Sequence, residues 1–174
     1  RMTRGLPWVR MKIAASLDGK TALPDGRSQW ITGPLARADG HHWRAQACAI
    51  VTGVGTVKED DPSLNVRDVA TLRQPWRIIV DSKLETPLAA KILGDVKASS
   101  GVMIVCANLD SPGMQEKAQA FRERGIEVIA MANTSGKVDL PRLFAYLALE
   151  RHMNEIHIES GFKLNGSMLR EGCV

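Results

Sequence analysis

Six short strand-like runs separated by stretches of helical character constrain this chain more than any other feature. Trp8 to Ala14 alternates and is rich in apolar residues. Ala49 to Val54, Trp76 to Val80, Val102 to Ala107 and Ile126 to Met131 are short and mostly apolar, and Glu155 to Glu159 reads as a sixth strand. Thr32 can cap a helix whose early Pro34 lacks only an amide that would be unpaired anyway, and that helix runs to about Ala47. Gly113 to Arg124 and Leu164 to Glu171 are further helical segments, and Asp139 can cap another through Arg151. Leu23-Pro24-Asp25-Gly26 is a turn by its Pro and Gly. Strands alternating with helices predict a three-layer α/β fold around a mostly parallel sheet.

With 174 residues, 44% hydrophobic and 24% charged, the chain suits one domain with a single core. No apolar run approaches the ~20 residues of a membrane span. Arg1-Met2-Thr3-Arg4-Gly5-Leu6 lacks the apolar centre of a signal peptide, so a cytoplasmic protein is expected. Cys48, Cys106 and Cys173 are odd in number and far apart, which predicts buried free thiols rather than a disulfide framework or a zinc knuckle. The net charge of +4 comes without a basic run, which disfavours nucleic acid and suits small anionic ligands.

A polar code that packing alone would not require runs through the first third of the chain. It reads K-I-A-A-S-L-D-G-K (Lys12 to Lys20), S-Q-W-I-T (Ser28 to Thr32), Arg44, then G-V-G-T-V-K-E-D-D-P-S-L-N-V-R (Gly53 to Arg67). Val80-Asp81-Ser82, Ile158-Glu159-Ser160-Gly161 and Leu164-Asn165-Gly166-Ser167 follow. In this set the chain resembles the reductase domain of the bifunctional riboflavin-biosynthesis deaminase/reductases, whose fold is similar to dihydrofolate reductase. The resemblance implies reduction of 5-amino-6-(5-phosphoribosylamino)uracil to its ribitylamino product with NADPH, and a homodimer in the full-length protein. Residues 1–7 resemble the family's connector to a deaminase domain. Residues 8–174 resemble a reductase domain whose C-terminal strands are expected to lie beyond Val174.

Residue by residue, the resemblance places substrate at Ser28, Arg44, Leu64, Arg67 and Glu159. It places the cofactor at Ala14, Trp30, Thr56, Asp60 and Ser82, and along Gly161, Phe162, Lys163, Leu164, Asn165, Gly166 and Ser167. Arg44 and Arg67 are the natural phosphate clamps, because a guanidinium is a planar, always-charged fork of donors. At Ser160-Gly161 small residues between a strand and a helix let backbone amides approach a pyrophosphate. Phe162 adds bulk there, and Ser160 stands where the family usually has Gly or Ala.

Lys12 and Glu159 are the candidates for the chemical step. Lys12 sits among apolar neighbours, where an unpaired ammonium is costly, so an anion or carboxylate is expected beside it. Glu159 could orient the reacting group, and bound water is a third source of the proton. The bland alternative is a structural Lys12–Glu159 ion pair. Gly53-x-Gly55 is not a dinucleotide fingerprint, since Lys58 occupies the third glycine's place. His157-x-Glu159 matches half of a zinc-deaminase motif but lacks the downstream P-C-x-x-C, so no metal is expected. His41 and His42 are read as surface residues of the helix carrying Arg44. The rival readings are a related pteridine or pyrimidine reductase and a non-catalytic nucleotide-binding or assembly unit.

Overall fold

A computed structural model describes residues 3–28, 30–94 and 100–174. Of the residues quoted above, Arg1 and Met2 of the connector and Gln29 of S-Q-W lie outside the described residues. The strands are β1 (Trp8–Lys12), β2 (Ala49–Gly53), β3 (Trp76–Val80), β4 (Val102–Cys106), β5 (Glu127–Ala130) and β6 (Glu155–Glu159). The helices are α1 (Pro34–Gln46), α2 (Val54–Asp60), α3 (Pro112–Glu123), α4 (Leu140–Leu149) and α5 (Phe162–Arg170).

The six strands form one sheet in the order β1-β6-β2-β3-β4-β5, and every pairing is parallel. One antiparallel bridge, Ala132 with Val138, lies outside the strands. The short apolar runs are therefore strands covered on both sides, and successive residues feed opposite cores. Ile50, Ile79, Ile104 and Cys106 point to the side where Val57 of α2 and Ala118 and Phe121 of α3 are buried. Val51, Ile78, Met103, Val105, Ile156 and Ile158 meet Leu143, Phe144 and Leu147 of α4 and Met168 of α5 on the other side. Each large side chain buried in this way contributes roughly 1.5–3 kcal/mol.

Side-chain capping explains where α3 and α4 start. Asp139 accepts the Arg142 amide at 3.0 Å and Ser111 accepts that of Met114 at 3.3 Å, with Pro in the first turn of both helices. Helix α1 differs from expectation: its N-cap is Gly33, not Thr32, and Thr32 instead offers its carbonyl to Arg37. Helix α2 has no counterpart in the sequence reading, because it starts on glycines and buries only Val57. Of the thiols, only Cys106 is buried, while Cys48 and Cys173 are half-buried and all three are free. Among the described residues no helix is long and apolar enough to cross a membrane.

Chain direction sets up the site. From β1 the chain skips one place to β2, moves outward to β5, and returns through α4 to insert β6 between β1 and β2. In open parallel sheets the crevice beyond the carboxyl ends of the strands takes ligands. Ala14, Thr56, Ser82 and Gly161 all follow such strand ends.

Candidate functional site

The centre of this edge is an ion pair between α1 and β6. Arg44 Nε and Nη2 donate to the two carboxylate oxygens of Glu159 at 2.5 and 2.9 Å, and Nη1 donates to the Asn65 carbonyl at 3.2 Å. Both side chains are largely sheltered, at 14% and 12% exposure. Burial alone would raise the Glu159 carboxyl, but the Arg44 hydrogen bonds, aided by His157, outweigh it and hold the group well below the usual carboxylate range. Glu159 is therefore an anion with its charge fixed.

Glu159 thus pairs with Arg44, and the alternative of a structural Lys12–Glu159 ion pair is not what the fold forms. Lys12 ends β1 in register with Glu159, but it is exposed and forms no ion pair among the described residues. The nearest packing demand on it is slight, because β1 is an edge strand. Arg44 is likewise not a free phosphate clamp, since all three of its nitrogens already donate. Arg67 is different: it is exposed, and its guanidinium makes one long contact, 3.4 Å to Asn65 Oδ1. Leu64, three residues earlier, is buried at a φ of 46°, a left-handed conformation uncommon for a leucine.

A second group of residues gathers where α2 meets α5. The Gly161 amide donates to Thr56 Oγ1 at 3.0 Å, and a Cβ at Gly161 would lie 3.6 Å from that oxygen. Gly53 lets Leu164 pack on the end of β2; a Cβ there would come within 3.3 Å of it. Gly161 is the N-cap of α5 and supplies no side-chain cap, so no capping side chain occupies the amides of the opening turn. Phe162 and Lys163 are exposed beside it. Asn165 is spent on structure: Ser160 Oγ donates to its Oδ1 at 2.5 Å, and its Nδ2 donates to the Ser160 carbonyl at 3.0 Å. Gly166 and Ser167 lie a turn further on, half-buried, with Ser167 Oγ donating to the Lys163 carbonyl at 3.2 Å.

The remaining named residues are more scattered. Ala14 and Ser28 are half-buried in irregular backbone, and Trp30 is 71% exposed with the Arg37 guanidinium 4.5 Å above its ring. Asp60 ends α2 at the surface, its carboxyl raised by partial burial and by Glu59. Ser82 Oγ accepts the Val138 amide at 3.1 Å, which ties the end of β3 to the bridge after β5.

The sequence reading gives three residues no part in the site: His41 counts as superficial, His157 as half of a rejected zinc motif, and Gln74 is passed over. His41 is buried rather than superficial, one helical turn from Arg44, and only His42 is exposed. The i, i+3 spacing of His41 and Arg44 on one helix face was the available signal. Gln74 grips the backbone of Val66 at both its amide and its carbonyl, at 2.7 and 2.9 Å, with no sequence mark. His157 lies under Glu159, its Nε2 3.5 Å from Oε1, on the strand face that i, i+2 alternation gives them both.

Known proteins share this fold. The riboflavin biosynthesis protein RibD of Bacillus amyloliquefaciens is 37% identical over 172 residues, which cover 99% of this chain and 44% of that protein. Acinetobacter baumannii RibD superposes with a TM-score of 0.82 at 34% identity, over 99% of this chain and 45% of the other. A Thermotoga maritima diaminohydroxyphosphoribosylaminopyrimidine deaminase/5-amino-6-(5-phosphoribosylamino)uracil reductase superposes at 0.74 with 27% identity, over 97% and 43% of the two chains. The chain thus spans less than half the length of these relatives, and its three-layer sheet is theirs. Since the RibD C-terminal domain matches residues 7–174, nearly the whole chain, the chain belongs to that family.

Proposed function

We propose that this edge of the sheet binds NADPH and reduces 5-amino-6-(5-phosphoribosylamino)uracil to 5-amino-6-(5-phosphoribitylamino)uracil. The observation that carries the reading is the fixed Glu159 anion at the carboxyl end of β6 together with an exposed Arg67 whose guanidinium makes one long contact, to Asn65. Arg67 would take the substrate phosphate through its guanidinium fork. Ser28 and the buried Leu64 would border the sugar and base, while Glu159, held by Arg44, would orient the reacting amine.

The uncapped start of α5 at Gly161 and the absence of a side chain there fit a pyrophosphate, with Thr56 fixing the turn. Ala14, Trp30, Asp60, Ser82 and the residues from Phe162 to Ser167 would border the rest of the cofactor. NADPH supplies the hydride when bound. At the ring-opened imine the C=N electron pair passes to nitrogen, which needs a proton. Glu159 is ionised by its pairing, so it holds no proton to give. The Lys12 ammonium, level with Glu159 in the adjacent strand, is the donor assigned here and would be reprotonated from water.

Reduction is tested by adding the phosphorylated substrate to protein and NADPH, following loss of NADPH absorbance, and identifying the ribityl product by mass. Substrate-dependent oxidation with a product heavier by two hydrogens is expected. No oxidation in a folded protein that still binds NADPH would point to the non-catalytic reading.

A further inference from the structure

Between α2 and β3 the chain runs without regular secondary structure past Leu64, Asn65, Val66, Arg67 and Asp68, yet each of the last four is gripped by a side chain from elsewhere. Arg44 Nη1 donates to the Asn65 carbonyl at 3.2 Å. Gln74 accepts from the Val66 amide at 2.7 Å and donates to its carbonyl at 2.9 Å. His41 Nδ1 accepts the Arg67 amide at 3.5 Å, and its Nε2 lies 3.0 Å from Asp68 Oδ2. Leu64 and Val66 are both 5% exposed and anchor the segment inward, so Arg67 is turned outward. The left-handed φ of Asp61 and Leu64, 41° and 46°, shows that the path is one the backbone would not choose unaided.

We propose that His41 and Gln74 are positioning residues that hold residues 64–68 as a strap, so that the Arg67 guanidinium stands ready for the substrate phosphate. The inference rests on the reading of Arg67 as the phosphate ligand. A neutral imidazole suits the task, since it offers one donor and one acceptor on opposite sides of a rigid ring. Nδ1 takes the backbone amide and Nε2–H meets the carboxylate, so one buried side chain fixes two neighbouring residues of the strap. Protonation would set an N–H against the Arg67 amide. It would also add a cation between Arg44 on α1 and Arg67 on the strap, with only Asp68 on the strap and Glu159 on β6 in opposition. Burial, Arg44 and Arg67 accordingly lower the His41 pKa, which keeps the ring neutral.

The test uses His41→Leu, His41→Gln and Asp68→Ala in the intact protein, with KM for each substrate, kcat, and amide hydrogen exchange across the strap. Glutamine also carries one donor and one acceptor, so it should substitute where leucine cannot. His41→Leu is expected to raise KM for the phosphorylated substrate about tenfold, the worth of one to two hydrogen bonds, with KM for NADPH unchanged. Exchange at Arg67 should accelerate in His41→Leu and stay near wild type in His41→Gln. Asp68 lies at the surface, so Asp68→Ala should fold even if His41→Leu does not, and faster exchange with a raised substrate KM is expected there too. Wild-type substrate KM in a folded His41→Leu, a His41→Gln as impaired as His41→Leu, or unaltered exchange in Asp68→Ala would overturn the proposal. A wild-type protein that neither binds nor reduces the substrate would instead overturn the functional reading, and the exchange measurements would still decide whether His41 holds the strap.

Discussion

Arg44 and Glu159, 115 residues apart in the sequence, meet through two hydrogen bonds at 2.5 and 2.9 Å and join helix α1 to the last strand of the sheet. Removing one partner leaves the other's charge sheltered and unpaired, which costs far more than the pair itself contributes. Arg44→Leu should therefore lower unfolding free energy by about 3 kcal/mol at neutral pH. The folded-state pKa of Glu159 is depressed, so this stabilisation is complete above the ordinary value of 4.5 and is lost as pH falls from there toward the folded value. Urea midpoints measured across that range should converge for wild type and variant on acidification; a gap independent of pH would show that packing rather than charge is responsible.

Arg67 is exposed and nearly uncommitted, so its replacement should leave stability alone and act on the ligand. Arg67→Lys keeps the charge but loses the bidentate fork, with an expected loss of 1 to 3 kcal/mol, on the order of one charge-assisted hydrogen bond, in apparent substrate affinity. NADPH affinity should not change. Isothermal titration with the phosphorylated substrate decides it, and an unchanged affinity in a folded variant removes Arg67 from the site.

His41 should leave a signature in the pH dependence of stability. Its pKa lies below the ordinary 6.5 in the folded chain, so the unfolded chain binds the proton more readily. Stability should then fall as pH drops below 6.5 and level off beneath the folded value. His41→Gln does not titrate and should lack that component. Thermal midpoints of the two proteins, compared over the same buffers, check the sign; parallel profiles would refute it.

Cofactor choice should depend on charge after β3, where Ser82 is tied to Val138 and Lys83 is exposed. NADPH should be preferred over NADH, and Lys83→Glu should erode the preference by raising KM for NADPH alone. Equal kcat/KM for the two cofactors in wild type would end this assignment.

What the sequence made legible, and what it did not, divides along physical lines. Trp76–Val80 could be bounded by its own residues because a strand covered on both faces is mostly apolar, and Glu155–Glu159 because its two isoleucines alternate with polar residues. Helix α2 could not, since Gly53, Gly55 and a single buried valine carry neither propensity nor period. The strap was invisible for a different reason: its shape depends on His41, Arg44 and Gln74, whose bonds to its backbone have no local pattern. Apolar neighbours in the sequence suggested a carboxylate for Lys12, but β1 lies at the sheet edge with Lys12 exposed, and the packing of α1 on β6 gives Glu159 to Arg44.

Glu159 itself separates chemistry from scaffolding. Glu159→Gln keeps the size and part of the hydrogen bonding but removes the anion that neutralises Arg44, which is only 14% exposed. If Glu159 orients the reacting amine, turnover should fall by at least about tenfold while NADPH affinity stays near wild type. Stability should also drop, by about 1 to 3 kcal/mol, because a sheltered guanidinium loses its counter-charge. The structure identifies which second change repairs that loss. Arg44→Met should restore much of the stability in the Glu159→Gln background without restoring turnover, whereas Lys12→Met should restore neither, since Lys12 is exposed and unpaired with Glu159. Rescue of stability by Lys12→Met would reinstate the Lys12–Glu159 pair, and near-normal turnover in Glu159→Gln alone would withdraw Glu159 from the reaction.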